Sequence, residues 1–362
     1  MNKSNYYYNI EDDMNKYKDA WCYVIIGGRN TGKTYSTLKS CKKDGRKFTF
    51  TKRTNDDVNL LCAGSGKIGT KLSQYGVDLS PFKSINRDTG YNVKPFKIFE
   101  GLAGFWDCDC ENNPEGVPIG YIVSLNAVSK VKGFDLSDSE WLVFDEFIPQ
   151  PWERVSRKEG EQVLDLYKTI DRDRQHRGKP ALKLICLANA TTISNPLMNI
   201  LEITDVVAQM NIDDTEYYYD DYRKILIHRV KDSKEFYEVE SNAPIYKAMQ
   251  GTQWGTMALE NKFAYDDFTS VQFTSLKGYK CIVQLKYKEN IWYIYKNGRN
   301  FYMCESRANT GVFYDLNREN EQKRFYIEHC IDLRNACIEN RMKFSKYTMY
   351  DIIVNFKKFF KI

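Results

Sequence analysis

One run of eight residues constrains this chain more than any other: Gly27-Gly28-Arg29-Asn30-Thr31-Gly32-Lys33-Thr34. It fits the spacing G-x-x-x-x-G-K-[ST]. It stands between CYVIIGG (22–28), which reads as a buried strand, and TGKTYSTLKSCKK (31–43), which reads as a helix. In that setting the glycines let the backbone curl so that its N–H groups point inward at phosphate oxygens, and the helix N-terminus adds its dipole. Lys33 is placed to reach the β- and γ-phosphates, and the Thr34 hydroxyl to ligate Mg²⁺. Arg29, Asn30 and Thr31 complete the loop; Arg29 either touches phosphate or points to solvent.

A strand, a phosphate turn and a helix imply an α/β fold, and the first two hundred residues agree. KFTFTKR (47–53), GYIVSLN (120–126), EWLVFDE (140–146) and LKLICLAN (182–189) read as buried strands, while EGEQVLDLYKTIDRDR (159–174) has helical spacing. Alternating strands and helices predict a mostly parallel sheet covered on both faces. The expected organisation is a nucleotide domain over 1–208 and an acidic, aromatic linker or lid over 209–242. A smaller C-terminal domain over 243–362 opens with three consecutive strands, the second and third joined at Asn297-Gly298.

Four apolar residues run into two acids at Trp141-Leu142-Val143-Phe144-Asp145-Glu146. On a buried strand the carboxylates emerge at the C-terminal end, where open α/β sheets place their ligands. Asp145 then completes the magnesium shell with Thr34, and Glu146 polarises an attacking water. That second acid favours an ATP hydrolase over a kinase or a switch. The interval between Lys33 and Asp145 is long enough to hold another strand, as in the additional-strand (ASCE) class of P-loop ATPases. Asn189, at the end of LKLICLAN, suits a polar sensor of the γ-phosphate; a turn-forming Asn is the plain alternative. The helix read over 159–174 ends in the cluster Asp171-Arg172-Asp173-Arg174-Gln175-His176-Arg177. One of its arginines, offered to a neighbouring subunit's γ-phosphate, would raise hydrolysis by ~10³–10⁵, whereas Arg–Asp pairing on a solvated face is the ordinary reading of each taken singly.

Composition removes other classes. No apolar run approaches the ~18 residues that cross a bilayer. The first residues, MNKSNYYYNIEDDMNK, are polar where a secretory signal is apolar, so a cytoplasmic protein with reduced thiols is expected. Ten cysteines without a CxxC pair, and three histidines, argue against a zinc site. The net charge of +5 is uneven: residues 251–362 hold 18 Lys and Arg against 12 Asp and Glu, the rest 35 against 36. A basic final third suits a module that touches a polyanion, or a soluble surface. The stretch 341–362 reads as an amphipathic helix whose apolar residues pack on its own domain while its basic face meets a partner.

Together these residues resemble the DNA-packaging (encapsidation) ATPases of the small tailed Picovirinae phages, relatives of the large terminase motors. The likeness rests on GGRNTGKT, with its arginine in the loop, on Lys132-Gly133 ahead of LVFDEF, on LANATTISNP (187–196) and on GTQWGTMALENKF (251–263). It implies a homo-oligomeric, pentameric ring at the portal of an empty capsid, coupling ATP hydrolysis to translocation of double-stranded DNA. It also implies residence in the host cytoplasm, transient attachment at the portal vertex, absence from the mature virion and, in some members, a small packaging RNA. By motif position Arg172 or Arg174 corresponds to the trans-acting arginine, and Lys132 to a second residue acting across the subunit interface. Large terminases carry an RNase H-like nuclease whose first metal-binding aspartate lies on the opening strand. Here that strand, Lys280-Cys281-Ile282-Val283-Gln284-Leu285, has no acid, leaving only Asp315 and Glu305. A vestigial RNase H-like domain without nuclease activity is therefore expected. Lys52, Arg53 and Lys130 are candidates for gripping DNA. A helicase or remodeller, and a nucleotide-gated binding module, are the alternative functions.

Overall fold

The computed structural model describes residues 7–63, 78–150, 152–153, 155–252, 255, 263 and 266–360. Contacts divide the chain into two compact units, Met1–Leu201 with Asp213–Tyr265, and Glu202–Ile212 with Asp266–Ile362.

The first unit is built on a nine-stranded sheet. Its strands are β1 (Cys22–Ile26), β2 (Phe48–Lys52), β3 (Val93–Phe99), β4 (Leu102–Cys108), β5 (Pro114–Ser124), β6 (Trp141–Asp145), β7 (Lys183–Ala188), β8 (Tyr217–Asp220) and β9 (Ile225–Arg229). The order is β3-β4-β5-β2-β6-β7-β1-β9-β8. From β5 to β9 all neighbours run parallel, and β3, β4 and β8 pair antiparallel at the two sides. β1 is buried at every position and β7 at all but its first, as a strand covered on both faces requires. In β2 the alternation sends Phe48 and Phe50 to one face, where Phe82 and Phe105 meet them at ring distances of 5.0–6.4 Å.

The expected strands and helices of this unit are present, and the Lys33–Asp145 interval holds further strands, β2 to β5, while the strand separating β1 from β6 is β7. Two features differ from the sequence reading. The β3–β4 hairpin was not anticipated. Residues 217–229, expected in a linker or lid, form β8 and β9. The ILIHR run of β9 is only five residues long, but its aliphatic residues have strand character, and it pairs parallel with β1. It is buried because His228 Nδ1 meets Asp13 Oδ2 at 2.7 Å and Nε2 meets Glu216 at 3.3 Å, while Arg229 donates to Thr215 O.

The second unit holds β10 (Lys280–Tyr287), β11 (Asn290–Asn297), β12 (Asn300–Cys304), β13 (Val312–Asp315) and β14 (Met342–Phe344), ordered β13-β10-β11-β12-β14. The β11–β12 hairpin pairs Asn297 with Asn300, so its two-residue turn is Gly298-Arg299, with Gly298 at φ 57°. Phe344, Tyr347, Met349, Ile352, Ile353 and Phe356 are all buried in this unit, so the apolar side of the C-terminal stretch packs at home. The helix Thr204–Ile212 belongs here as well: Asp205 accepts from Thr348 N at 2.7 Å. The division thus falls elsewhere than at 208 and 243, because β8 and β9 complete the first sheet while Thr204–Ile212 packs in the second unit.

Truncating Phe105 to Ala removes the ring at the centre of the Phe48–Phe82 cluster and is expected to cost ~3–5 kcal/mol. Urea unfolding of the full chain checks this; a midpoint equal to the parent's would contradict the packing.

Candidate active site

In the loop after β1, Asn30 (φ 61°) and Gly32 (φ 86°) take left-handed conformations, and the helix Lys33–Lys43 starts directly behind them. Gly27 has no room for a side chain, since a Cβ there would stand 2.9 Å from Val230 Cβ. Lys33 lies across the loop, its Nζ donating to Gly27 O (3.1 Å), Gly28 O (2.5 Å), Thr31 Oγ1 (3.1 Å) and Asn189 Oδ1 (3.4 Å). Arg29 reaches Gln150 Oε1 at 3.5 Å.

The parallel strands bring the acids to this loop. β7 lies between β1 and β6, and its C-terminal end sets Asn189 beside Lys33. Asp145 ends β6 and accepts from Thr34 Oγ1 at 2.9 Å, so the two expected metal ligands already touch. Glu146 follows at φ 57°, a left-handed backbone that costs a non-glycine residue about 1–3 kcal/mol. Such strain is retained where the surroundings hold it, and here they do. Arg53 Nη2 donates to Glu146 O (3.0 Å) and Phe147 O (3.1 Å), and Asn195 Nδ2 donates to Phe147 O (2.7 Å). The LANATTISNP segment thereby braces the turn that follows Asp145. Thr191 Oγ1 also donates to Pro149 O at 3.1 Å.

Sequence reasoning missed the cations at the tip of β2 as members of this site. Lys52 Nζ bridges Asp145 Oδ2 and Glu146 Oε2, at 3.0 Å each. Burial alone would lower the Lys52 ammonium, but Asp145 and Glu146 together hold it above its ordinary value. Arg53 forms a two-bond pair with Glu159, whose side chain is 1% exposed. Both cations are thus engaged at the acidic tip rather than presented to DNA, whereas Lys130 is exposed beside Glu100 at 3.8 Å. The sequence did show a Lys-Arg pair ending a strand; only the strand order, which seats β2 against β6, says which acids it meets.

The expected trans-acting residues lie elsewhere. Arg174 is a correction: it is buried, donating to the Ser137, Ser139 and Pro180 carbonyls, and serves as a structural staple rather than an arginine offered to a neighbour. Arg172 is partly exposed, donating to Phe134 O and Thr169 O and lying 3.7 Å from Asp135. Lys132 pairs with Asp165 at 2.9 Å, on the helix Glu159–Asp171 that ends at Arg172. Lys132 therefore meets the middle of that helix, and Arg172 stands at its C-terminal end, about 20 Å along the helix from Glu159. Of GTQWGTMALENKF, only Gly251, Thr252, Gly255 and Phe263 are among the described residues.

A model of the podovirus DNA encapsidation protein (Gp16) matches residues 115–358. The chain belongs to this family. Gp16 relatives include the DNA packaging protein of Bacillus phage B103, 24% identical over 272 residues, which cover 73% of this chain and 70% of that protein. The DNA packaging protein of Bacillus phage phi29 is 25% identical over 248 residues, 67% of this chain and 62% of that protein. Two solved structures share the fold along nearly its whole length. The phi-28 gp11 DNA packaging motor (TM-score 0.62, 16% identity) covers 99% of both chains; the phi29 genome packaging motor assembly (0.62, 18%) covers 98% of this chain and 99% of that one. DNA encapsidation, the work of the Gp16 family, is thus the process in which this chain acts.

Burial pulls the Lys33 ammonium down to about 8, against the opposing pull of Asp145 and Asp232. A polyphosphate on the loop restores the charge, so binding takes up a proton wherever the free lysine is partly neutral. Nucleotide affinity is expected to be steady below about pH 8 and to fall as pH rises above it. Titration with a fluorescent nucleotide on both sides of that value checks this, and a flat profile would contradict it.

Proposed function

We propose that this chain is the ATP-hydrolysing subunit of a ring motor, a P-loop ATPase of the additional-strand class that drives double-stranded DNA into an empty capsid through its portal. The observation that carries the reading is the convergence of Lys33, Thr34, Asp145, Glu146 and Asn189 at one edge of a parallel sheet. The order β1-β7-β6, with one strand inserted between the phosphate-loop strand and the acidic strand, supports the class assignment.

The residues present fit MgATP. The backbone of Gly27 to Gly32 and the start of the following helix suit the phosphates, and the Thr34 hydroxyl with the Asp145 carboxylate is a hard oxygen pair of the kind Mg²⁺ takes. A cationic group, the Lys52 ammonium, already stands against Asp145. Magnesium, when bound, neutralises charge developing on the transferred phosphoryl group. Lys33 turns from its loop carbonyls to phosphate oxygens. Lys52 gives up Asp145 and Glu146 together, which frees the Glu146 carboxylate to accept a proton from the attacking water. Asn189, bonded to Lys33, senses the terminal phosphate.

Arg172 lies at the end of the helix that Glu159 opens, about 20 Å from the acidic tip, which favours action on a neighbouring copy. A closed ring, pentameric as the sequence resemblance implies, gives every subunit such a neighbour. In the second unit, Gln284 Nε2 donates to Thr310 O (2.8 Å) on the strand where a nuclease would carry its first acid. Lys286 stands beside Asp315 in the β10–β13 register. A cation and an amide in these places support a vestigial RNase H-like unit kept for contacts with DNA, the portal or a packaging RNA.

Glu146→Gln is expected to bind ATP with parental affinity and to lower turnover by ~10²–10⁴. Phosphate release with and without duplex DNA and capsids measures it, and normal turnover would remove Glu146 from the mechanism. Arg172→Ala subunits should be inactive alone and regain activity when mixed with Lys33→Ala subunits, whose arginines are intact. No recovery in mixed rings would exclude a trans role. The function as a whole is tested by ATP-dependent protection of duplex DNA from nuclease in the presence of empty capsids. Failure of protection with an active ATPase would return the chain to the helicase or remodeller reading.

A further inference from the structure

The residue that holds Glu146 in place is itself held, and this assigns a role to a pair that the motif leaves out. Arg53 follows β2. One edge of its guanidinium donates to the carbonyls of Glu146 and Phe147, at 3.0 and 3.1 Å, and Nε with the same Nη2 grips both carboxylate oxygens of Glu159, at 2.6 and 3.2 Å. The Phe144 ring lies under the guanidinium at 5.7 Å. Glu159 is the first residue of the helix Glu159–Asp171, where its charge also suits the helix dipole. Its burial raises the carboxyl above the usual range, Arg53 opposing the rise. An ion pair this enclosed is a costly way to hold two surfaces together, so its geometry rather than its energy is the feature to explain. That geometry fixes one thing: the left-handed turn at Glu146, on which the direction of the carboxylate depends.

We propose that Arg53, anchored by Glu159, is the positioning residue of the hydrolytic carboxylate: it locks the Glu146–Phe147 turn so that Glu146 faces the terminal phosphate. It touches neither phosphate nor water. Because a lysine has no planar fork, it cannot serve both carbonyls and both carboxylate oxygens at once, so the role is specific to arginine. Glu159 also opens the helix that ends at Arg172. The clamp therefore ties the aim of a subunit's own carboxylate to the base of the element carrying the arginine for its neighbour.

The inference rests on the hydrolase reading, and the experiment separates the two. Three full-length proteins are compared: Arg53→Lys, the double variant Arg53→Gln with Glu159→Gln, which removes the buried pair without leaving one charge alone, and the parent. Nucleotide affinity, thermal midpoint, single-turnover hydrolysis and amide exchange over 146–150 are measured on each. Expected for both variants are parental affinity for a fluorescent ATP analogue, hydrolysis lower by ~10², and faster exchange confined to the amides of the turn. Parental hydrolysis or unchanged exchange in Arg53→Lys overturns the proposal. So does a loss of affinity, stability and exchange protection throughout the unit, which a merely structural pair would give. If the parent itself binds but never hydrolyses nucleotide, the hydrolase reading fails, and the exchange comparison still decides whether Arg53 and Glu159 hold the turn.

Discussion

Two adjacent carboxylates at the tip of one strand, with two cations at the tip of the next, are the contact on which this molecule depends. Asp145 and Glu146 would repel each other at the edge of a low-dielectric sheet. Lys52 satisfies both side chains, and Arg53 satisfies the backbone that turns between them. The contact exists only because β2 pairs parallel to β6, so that both strands deliver their polar ends to the same side. The same parallelism, carried through β7 to β1, brings Asn189 and the phosphate loop to that edge. A sheet with any of these strands reversed would scatter the site over two ends.

The far end of the same strands carries different chemistry. Around the start of β6, Arg174 staples the Ser137 and Ser139 carbonyls, while Arg172 stands at the surface beside Asp135.

The second unit carries no acid on its opening strand, β10. Gln284 is occupied with loop carbonyls and Lys286 lies beside Asp315. Tyr314 is pushed up to about 12, mainly by burial and further by Glu328, so it remains a neutral donor. Lys357 and Lys358 are exposed within the short helix Phe356–Phe359, whose Phe356 is buried in the unit's own core.

Much of this was legible in the sequence, and the reason is local. A phosphate turn needs glycines, a lysine and a hydroxyl at fixed spacing, and a buried strand ending in two acids needs only its own composition, so Lys33, Thr34, Asp145, Glu146 and Asn189 could be singled out from the sequence, and the fold brings them to one end of the sheet. The C-terminal stretch was legible only in its burial: read as one amphipathic helix, it is β14 followed by the short helices Tyr347–Val354 and Phe356–Phe359, whose apolar residues pack in the unit's core. Tertiary structure decided the rest. Only strand order could send Lys52 and Arg53 to the acids rather than to DNA, choose β7 as the strand inserted between β1 and β6, and draw β8 and β9 out of an apparent linker. Only packing could distinguish Arg174, enclosed by carbonyls distant in the chain, from Arg172 two residues earlier. Spacing encodes what one segment does with its own backbone; which segments become neighbours is settled by burial across the whole sheet.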